Sequence, residues 1–219
     1  MTTDAGGADA VTFGHWPYDR VSVAGADAGT YLHSQLSQDI RALAVGSSVW
    51  SFVLAPNGRI DALVLVLRTA DDAFELRVDR GRGESLVARL NRFRIRVRAE
   101  VAAVGSHEGD AAAHHIERVA AGWPAMGVEI TEASIPAEFP EVVRAAVSFT
   151  KGCYPGQELV ERMDSRSAEA PRHLERLVVG ADARVGDPVL RDGAQVGSIT
   201  SIAVVGDQVI ALALVRRGA

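Results

Sequence analysis

The chain has 219 residues, of which 47% are hydrophobic and 23% are charged, so it can form a hydrophobic core and is not a disordered chain. Its formal net charge of −5 argues against a general nucleic-acid-binding protein, because such proteins normally carry a basic surplus. A single cysteine, Cys153, excludes an intrachain disulfide and argues against an iron–sulfur cluster held by this chain alone.

The first ten residues lack the basic and apolar regions of a secretory signal, and no stretch is long and apolar enough for a membrane span. We therefore expect a cytoplasmic protein that binds neither membranes nor nucleic acid.

The first part of the chain predicts a strand, a helix and a hairpin. Residues 21–40 predict a short strand followed by a helix, with Asp27 as a candidate N-cap and an apolar stripe that runs to Ile40. Residues 48–55 and 59–69 predict two strands, because Asn-Gly between two β-rich segments is typical of a chain reversal.

The next residues again show apolar patterns that are typical of strands and of helices in turn. Residues 73–78 predict a strand, residues 83–93 a helix, and residues 95–104 a half-buried strand in which apolar residues alternate with arginines. Residues 106–122 predict a loop and another helix. This order indicates an α+β fold with a mostly antiparallel sheet and helices on one face.

The character of the sequence changes near residues 166–172. Short strand patterns separated by Gly-Asp and Asp-Gly turns then predict a small C-terminal β-barrel. We therefore divide the chain into an α+β body at residues 1–168 and a small barrel at residues 169–219.

The segment around Cys153 has the pattern of a reactive thiol. A helix is predicted to begin just after Cys153, with Pro155 and Glu158 in its first turn. Its free N–H groups and the charge of Lys151 would both stabilise a thiolate. A lone cysteine can equally be a small buried hydrophobic residue, and the residues alone leave both interpretations open.

The motif KGCYPGQE at residues 151–158 resembles the signature of the YgfZ family of folate-binding proteins, K-G-C-Y-x-G-Q-E, and Arg166 fits the arginine that follows it. Residues 21–40, the hairpin at residues 55–67, residues 117–130 and residues 185–201 are similar to other segments of the family. The family is related to the glycine-cleavage T-protein, an aminomethyltransferase.

The resemblance implies a ring-like α+β body with a central cavity for tetrahydrofolate or a derivative, plus a small C-terminal β-barrel. It implies an accessory protein that supports iron–sulfur cluster assembly or repair, with iron–sulfur proteins or their assembly machinery as partners. Cys153 is then the candidate functional thiol. The signature positions are Lys151, Gly152, Cys153, Tyr154, Gly156, Gln157, Glu158 and Arg166, and the expected cofactor contacts among them are Lys151, Tyr154, Gln157, Glu158 and Arg166.

The sequence departs from the aminomethyltransferases at two acidic positions. Their paired hairpin acids are reduced here to Asp61 followed by Ala62, and a pterin-binding glutamate is replaced by Ala120. Aminomethyl transfer in glycine cleavage is therefore not expected. The alternative function is a folate-dependent one-carbon transferase or demethylase related to aminomethyltransferase, with Asp61 as the candidate catalytic base.

Three other groups have both a structural and a functional interpretation. His114, His115 and Glu117 are too few for a convincing metal site, so we expect none. The arginines at residues 89–98 predict a solvated sheet face or a basic rim for the folate tail or an acidic partner. The three tryptophans are core residues, or one of them lines the central opening; they are Trp16, Trp50 and Trp123.

Overall fold

Two antiparallel sheets carry the fold. The computed structural model describes residues 12–165 and 170–217. The first sheet has the strand order β2-β3-β4-β1-β5, and the second has the order β6-β9-β8-β7. The strands of the first sheet are β1 Tyr18–Ala24, β2 Ser48–Leu54, β3 Ile60–Ala70, β4 Ala73–Asp79 and β5 Glu100–His107. Those of the second are β6 Arg172–Val179, β7 Pro188–Arg191, β8 Ala194–Val205 and β9 Gln208–Arg216.

The helices lie between and after the strands of the first sheet. The described residues form α1 Ala28–Gln35, α2 Gly83–Arg92, α3 Ala111–Ala121, α4 Pro140–Ala146, α5 Gln157–Ser165 and a short 3-10 helix Pro136–Glu138. No helix within the described ranges is long and apolar enough to cross a lipid bilayer. The predicted α+β class with antiparallel sheets is confirmed.

The central strand β3 is apolar on both faces because each face packs against its own core. Ala62, Val64 and Val66 belong to the cluster that covers α1 and α2. Leu63 and Leu65 belong to a second cluster, which contains the tryptophans and extends to α4 and α5. Burial on both sides explains why residues 62–67 are continuously apolar instead of alternating.

Helix α1 is shorter than predicted. It ends at Gln35, although the apolar stripe continues to Ile40, which is also buried. Leu36 leaves the helix because it forms a bridge with Val53 of β2. The apolar period thus identified core residues correctly but overstated the length of the helix.

The predicted strand at residues 95–104 begins only at Glu100. The preceding residues are irregular: Ile95 is 75% exposed and Arg96 has φ 56°. The chain is held there by Asp27, which makes no N-cap bond and instead accepts hydrogen bonds from the Arg98 backbone N–H (2.9 Å) and guanidinium (2.8 Å). Of the two interpretations of the arginines at residues 89–98, the solvated sheet face is therefore wrong for Arg94, Arg96 and Arg98, which precede the strand.

The C-terminal strands form an open sheet. β6 and β7 lie at its two edges, and within the described strands they are not hydrogen-bonded to each other, so a closed barrel is not confirmed. An ion pair of 2.7 Å joins Arg191 of β7 to Glu175 of β6. The predicted boundary between residues 168 and 169 lies in residues 166–169, outside the described residues, and stays a prediction.

Candidate functional site

The hairpin between β2 and β3 contacts the start of α5. A Cβ on Gly156 would lie 3.0 Å from the Cα of Gly58 and 2.7 Å from the carbonyl oxygen of Ala55. A Cβ on Gly58 would lie 2.6 Å from Leu159. Both glycines also have positive φ, 82° for Gly58 and 81° for Gly156. The structure therefore brings together two segments that are about a hundred residues apart in sequence, the hairpin turn and the signature.

Lys151 anchors the signature to the end of α1. Its side chain is buried, and its ammonium donates hydrogen bonds to the carbonyl oxygens of His33, Leu36 and Gln38. These carbonyls lie at the C-terminus of α1, where backbone acceptors lack helical partners. Burial lowers the pKa of Lys151 to about 8. Lys151 therefore acts as a cap for this helix.

Tyr154 and Gln157 hold the turn between Lys151 and α5. The Tyr154 ring is buried in the second core cluster, and burial raises the pKa of its hydroxyl to about 12. Its ring centroid lies 4.9 Å from the Lys151 ammonium. Its backbone N–H donates to the side-chain oxygen of Gln157 at 3.2 Å, and Gln157 in turn donates to Glu161. Both side chains stabilise the loop.

Cys153 is exposed, as are Gly152 and Glu158. The interpretation of Cys153 as a buried packing residue is therefore wrong. The predicted helix start is also displaced, because α5 begins at Gln157 after a turn and not directly after Cys153. The Lys151 ammonium donates hydrogen bonds to backbone carbonyl oxygens, so it is not held beside the Cys153 thiol as an ion-pair partner. Arg166 lies outside the described residues.

Asp61 lies at a β-bulge, where Val53 pairs with Ala62 but Leu54 pairs with Ile60. Bulges re-aim the extra side chain, and here it reaches α2. Its carboxylate accepts a 2.6 Å hydrogen bond from the Nε of Arg89.

Arg89 is largely buried, and it also donates to the Leu54 carbonyl at 2.6 Å and lies 4.2 Å from the Phe93 ring centroid. This arginine was not predicted from the sequence as a partner of Asp61. In the sequence it is only one of the arginines at residues 89–98, and nothing in its spacing indicates a contact with Asp61.

Asp61 and Arg89 line a cavity of about 310 Å³ between β3 and α2. Ser85 and Arg92 line it from the same face of α2. The cavity therefore offers a carboxylate, two guanidinium groups and a hydroxyl, with Leu86 and two alanines as apolar lining.

The three tryptophans pack against one another, which confirms their interpretation as core residues. Trp50 lies between Trp16 and Trp123, with ring centroids 5.2 Å and 5.0 Å apart. The space left beside them has a volume of about 10 Å³, enough for about one water molecule. A ring-like body with a pterin-sized central cavity at this place is not confirmed.

Asp79 lies beside the tryptophans and was not singled out from the sequence. It accepts hydrogen bonds from the Trp16 indole N–H at 2.7 Å and the Met126 backbone N–H at 2.8 Å. Burial raises its pKa. A carboxyl group that is hydrogen-bonded in the core explains how an acidic residue can stand at the end of a buried strand.

Two of the three residues of α3 that could suggest a metal site, His115 and Glu117, are hydrogen-bonded within the protein. His115 bonds the Ile202 carbonyl oxygen at 2.8 Å and contacts Arg118, while Glu117 bonds His15 at 2.7 Å. Burial lowers the pKa of His114 to about 4. In the described part of the chain, no group of three or more potential ligands is arranged to hold a metal ion.

A buried ion pair joins α3 to the C-terminal sheet. Arg118 and Glu129 lie 3.1 Å apart with almost no exposed surface. Glu129 also accepts hydrogen bonds from Thr200 (2.9 Å) and Ser201 (2.6 Å) of β8. This network was not predicted from the sequence: Arg118 and Glu129 both lie in residues 117–130, but their pairing was not expected.

Comparison with known proteins gives a fold but no family. No family model matches the chain. An uncharacterized protein of Haemophilus influenzae is 24% identical over 189 residues, covering 69% of this chain and 68% of that protein. The crystal structure of the glycine cleavage system aminomethyltransferase T from Bartonella henselae superposes with a TM-score of 0.80 and 16% identity. It covers 91% of this chain and 76% of that structure. The chain has the fold of aminomethyltransferase T. At this identity the similarity shows the fold alone, and membership of the YgfZ family is not confirmed.

Proposed function

We propose that this chain is a folate-binding accessory protein that supports iron–sulfur cluster assembly or repair, with Cys153 as its functional thiol. The proposal is supported by the aminomethyltransferase T fold and by the way the signature segment is built. It assigns tetrahydrofolate or a derivative as the cofactor and iron–sulfur proteins or their assembly machinery as the partners.

The observation that carries the proposal is that several other residues of the signature have structural roles, whereas Cys153 is exposed and has none. Lys151 caps α1, Tyr154 fills the core, Gly156 allows contact with the hairpin, and Gln157 holds the turn. Cys153 stands between them without a packing role, exposed to solvent. Four buried or bonded residues thus build a rigid loop that presents one thiol, and a loop of this kind suits a functional group better than a structural one.

The reduced folate is assigned to the cavity beside Asp61. The space at the tryptophan cluster, about 10 Å³, is too small for a pterin ring, whereas the cavity between β3 and α2 has about 310 Å³. Small-molecule sites typically have about 300–1,000 Å³. The donor set also fits: the Asp61 carboxylate can accept hydrogen bonds from the pyrimidine edge, and Arg92 can bind a carboxylate of the glutamate tail.

Reduced folate supplies one-carbon chemistry when bound, and the residues of this chain would bind and orient it. Arg89 fixes the Asp61 carboxylate by a 2.6 Å hydrogen bond, so Asp61 would be oriented before the ligand arrives. Cys153 would act separately, because a thiolate is the soft ligand that iron and iron–sulfur clusters take from proteins. A single thiolate could bind iron or a cluster only transiently, because a conventional iron–sulfur cluster is held by several cysteine ligands.

Calorimetric titration with tetrahydrofolate tests the folate assignment. We expect heat of binding for the wild type and unchanged affinity for Cys153→Ser. Asp61→Asn should lose about 10- to 150-fold in affinity, since one lost charged hydrogen bond is worth about 1.5–3 kcal/mol. Absence of heat from the wild type would contradict folate binding. Equal affinity of wild type and Asp61→Asn would place the ligand elsewhere.

Complementation tests the role in iron–sulfur metabolism. Cells that lack this chain should show reduced activity of iron–sulfur enzymes, and the wild-type chain should restore it. We expect Cys153→Ser not to restore it although the variant folds and binds folate. Full restoration by Cys153→Ser would contradict the assigned role of the thiol.

A folate-dependent one-carbon transferase or demethylase is the second candidate function, and the aminomethyltransferase T fold favours it at a coarse level. Its candidate base, Asp61, already accepts a hydrogen bond from the Nε of Arg89 at 2.6 Å, so only its remaining lone pairs could face a substrate. Turnover of a methylated amine by pure protein with tetrahydrofolate, lost in Asp61→Asn, would establish this function instead.

A further inference from the structure

Residues 92–98, here called the arginine loop, connect α2 to β5 in an irregular conformation. Ile95 is 75% exposed, and Arg96 is in the left-handed region at φ 56°. A left-handed conformation costs a non-glycine residue about 1–2 kcal/mol. An exposed isoleucine beside a strained arginine contributes nothing evident to folding, and unfavourable features of this kind are often found at functional sites.

A cavity of about 450 Å³ lies next to the arginine loop. Phe93, Ile95 and Val97 form its apolar side. Helix α1 and its N-terminal flank form the other side with polar and aromatic residues, namely Asp27, Thr30, Tyr31 and Ser34. Its volume is enough for a large apolar side chain of another molecule, and its polar side can bind a main chain.

The arginine loop also has an excess of positive charge. Arg98 is paired with Asp27 at 2.8 Å, but no carboxylate of the described residues lies within ion-pair distance of Arg92, Arg94 or Arg96. Arg94 bonds only neutral groups, the Asn91 side-chain oxygen at 2.9 Å and the Ala99 carbonyl oxygen at 2.7 Å. In a chain with net charge −5, this is a local positive patch around an apolar centre.

We propose that the arginine loop is a docking site for an acidic segment of a partner protein, which inserts an apolar side chain beside Ile95. The partner chemistry follows from charge complementarity, because Arg94 and Arg96 alternate along the loop with the apolar residues that line the cavity and can each bind a carboxylate. A nucleic acid fits less well, since the centre of the patch is aliphatic and the chain as a whole is acidic.

The docking site is connected to the signature through α1. Ser34 lines the cavity, and the neighbouring His33 supplies a carbonyl oxygen to Lys151. Helix α1 has eight residues and is therefore about 12 Å long. A partner bound at the arginine loop would thus lie near the segment that presents Cys153. The inference does not depend on folate, because the residues that line this cavity differ from those that line the cavity beside Asp61.

Fluorescence anisotropy tests the docking site in the full chain. The probe is a short fluorescein-labelled peptide of Asp and Glu residues around a central Leu. We expect saturable binding that weakens as salt is raised, and a loss of about tenfold in affinity for Ile95→Ser and for the double variant Arg94→Gln/Arg96→Gln. Arg184→Gln, which changes an arginine in the C-terminal region, is the matched control and should bind like the wild type.

Three results with the acidic peptide would overturn the proposal. They are no binding of the peptide to the wild type, equal binding by Ile95→Ser, and equal loss in Arg184→Gln, which would indicate nonspecific attraction. Tighter binding of a labelled single-stranded RNA than of the acidic peptide would also overturn it in favour of a nucleic-acid surface. Circular dichroism of each variant shows whether the variant is folded, so that a loss of binding can be distinguished from unfolding.

Discussion

Gly58 at the hairpin turn and Gly156 before α5 are in such close contact that a Cβ on Gly156 would lie 3.0 Å from the Cα of Gly58. This contact explains why both the hairpin turn and the signature contain glycine. It also fixes the position of the loop that carries Cys153, because the loop is held by the hairpin on one side and by α1, through Lys151, on the other.

Substitution of Gly156 by alanine should destabilise the protein strongly. The φ of 81° costs a non-glycine residue about 1–2 kcal/mol, and the new methyl group would also clash with the Ala55 carbonyl oxygen at 2.7 Å. We expect Gly156→Ala to lower the free energy of unfolding by about 2–4 kcal/mol, measured by urea denaturation.

Gly46→Ala is the matched control for this prediction. Gly46 has a similar φ of 86°, but a Cβ added there would meet nothing within 4 Å, so only the backbone cost of about 1–2 kcal/mol is expected. If Gly46→Ala and Gly156→Ala lose the same stability, the contact with the hairpin has no energetic role.

Lys151 should make stability depend on pH. Burial lowers its pKa to about 8 in the folded protein, whereas an unfolded lysine titrates near 10.4. Between these values the unfolded state binds more protons, so stability rises with pH from about 8 to 10. We expect a gain of up to about 2 kcal/mol from this group, measured as the urea midpoint at both pH values.

The variant Lys151→Met isolates this contribution. It removes the titrating group, so the gain between pH 8 and pH 10 should disappear, while capping of the α1 carbonyls is lost at every pH. The measurement ends at pH 10 because burial raises the pKa of Tyr31 and Tyr154 to about 12, which makes stability fall with pH above that point. If stability still rises by the same amount between pH 8 and pH 10 in Lys151→Met, another group causes this pH dependence.

The sequence predicted the elements better than the contacts between them. Apolar period and turn residues identified the α+β class and the hairpin, and of the two interpretations of the tryptophans the core position is confirmed. They overstated α1 and placed residues 95–99 in a strand, because Leu36 is drawn into a bridge and Asp27 bonds Arg98. Both of these are interactions between distant residues, which periodicity does not detect.

The candidate site shows the same limit. The motif located the signature, but its residues have different roles from those that the pattern suggested, since Lys151 caps a helix instead of lying free beside the thiol. The partners of Asp61 and Glu129 were also missed, because Arg89 and Arg118 are separated from them in sequence and no spacing pattern links the members of each pair. Physical pairing of buried charges can be recognised only once the fold is known.

Cys153 should be accessible and dispensable for folding. Because its side chain is exposed, we expect complete alkylation by iodoacetamide without denaturant, detected by mass spectrometry. Cys153→Ser should change the free energy of unfolding by less than about 0.5 kcal/mol, as is usual for exposed positions. Alkylation that requires denaturant, or a loss of several kcal/mol in Cys153→Ser, would show that the sulfur packs inside the protein.

The buried pair of Arg118 and Glu129 should contribute strongly to the attachment of the C-terminal sheet. Glu129→Gln leaves a buried guanidinium without its counter-charge and weakens the bonds to Thr200 and Ser201, so we expect a loss of about 3–5 kcal/mol in urea denaturation. Glu175→Gln breaks a more exposed ion pair in the same sheet and should cost only about 0–1 kcal/mol. Because β8 carries the two hydroxyl donors of this network, hydrogen exchange in β8 should rise in Glu129→Gln before that in β3. Equal losses in the two variants would mean that the buried network does not hold the sheet to α3.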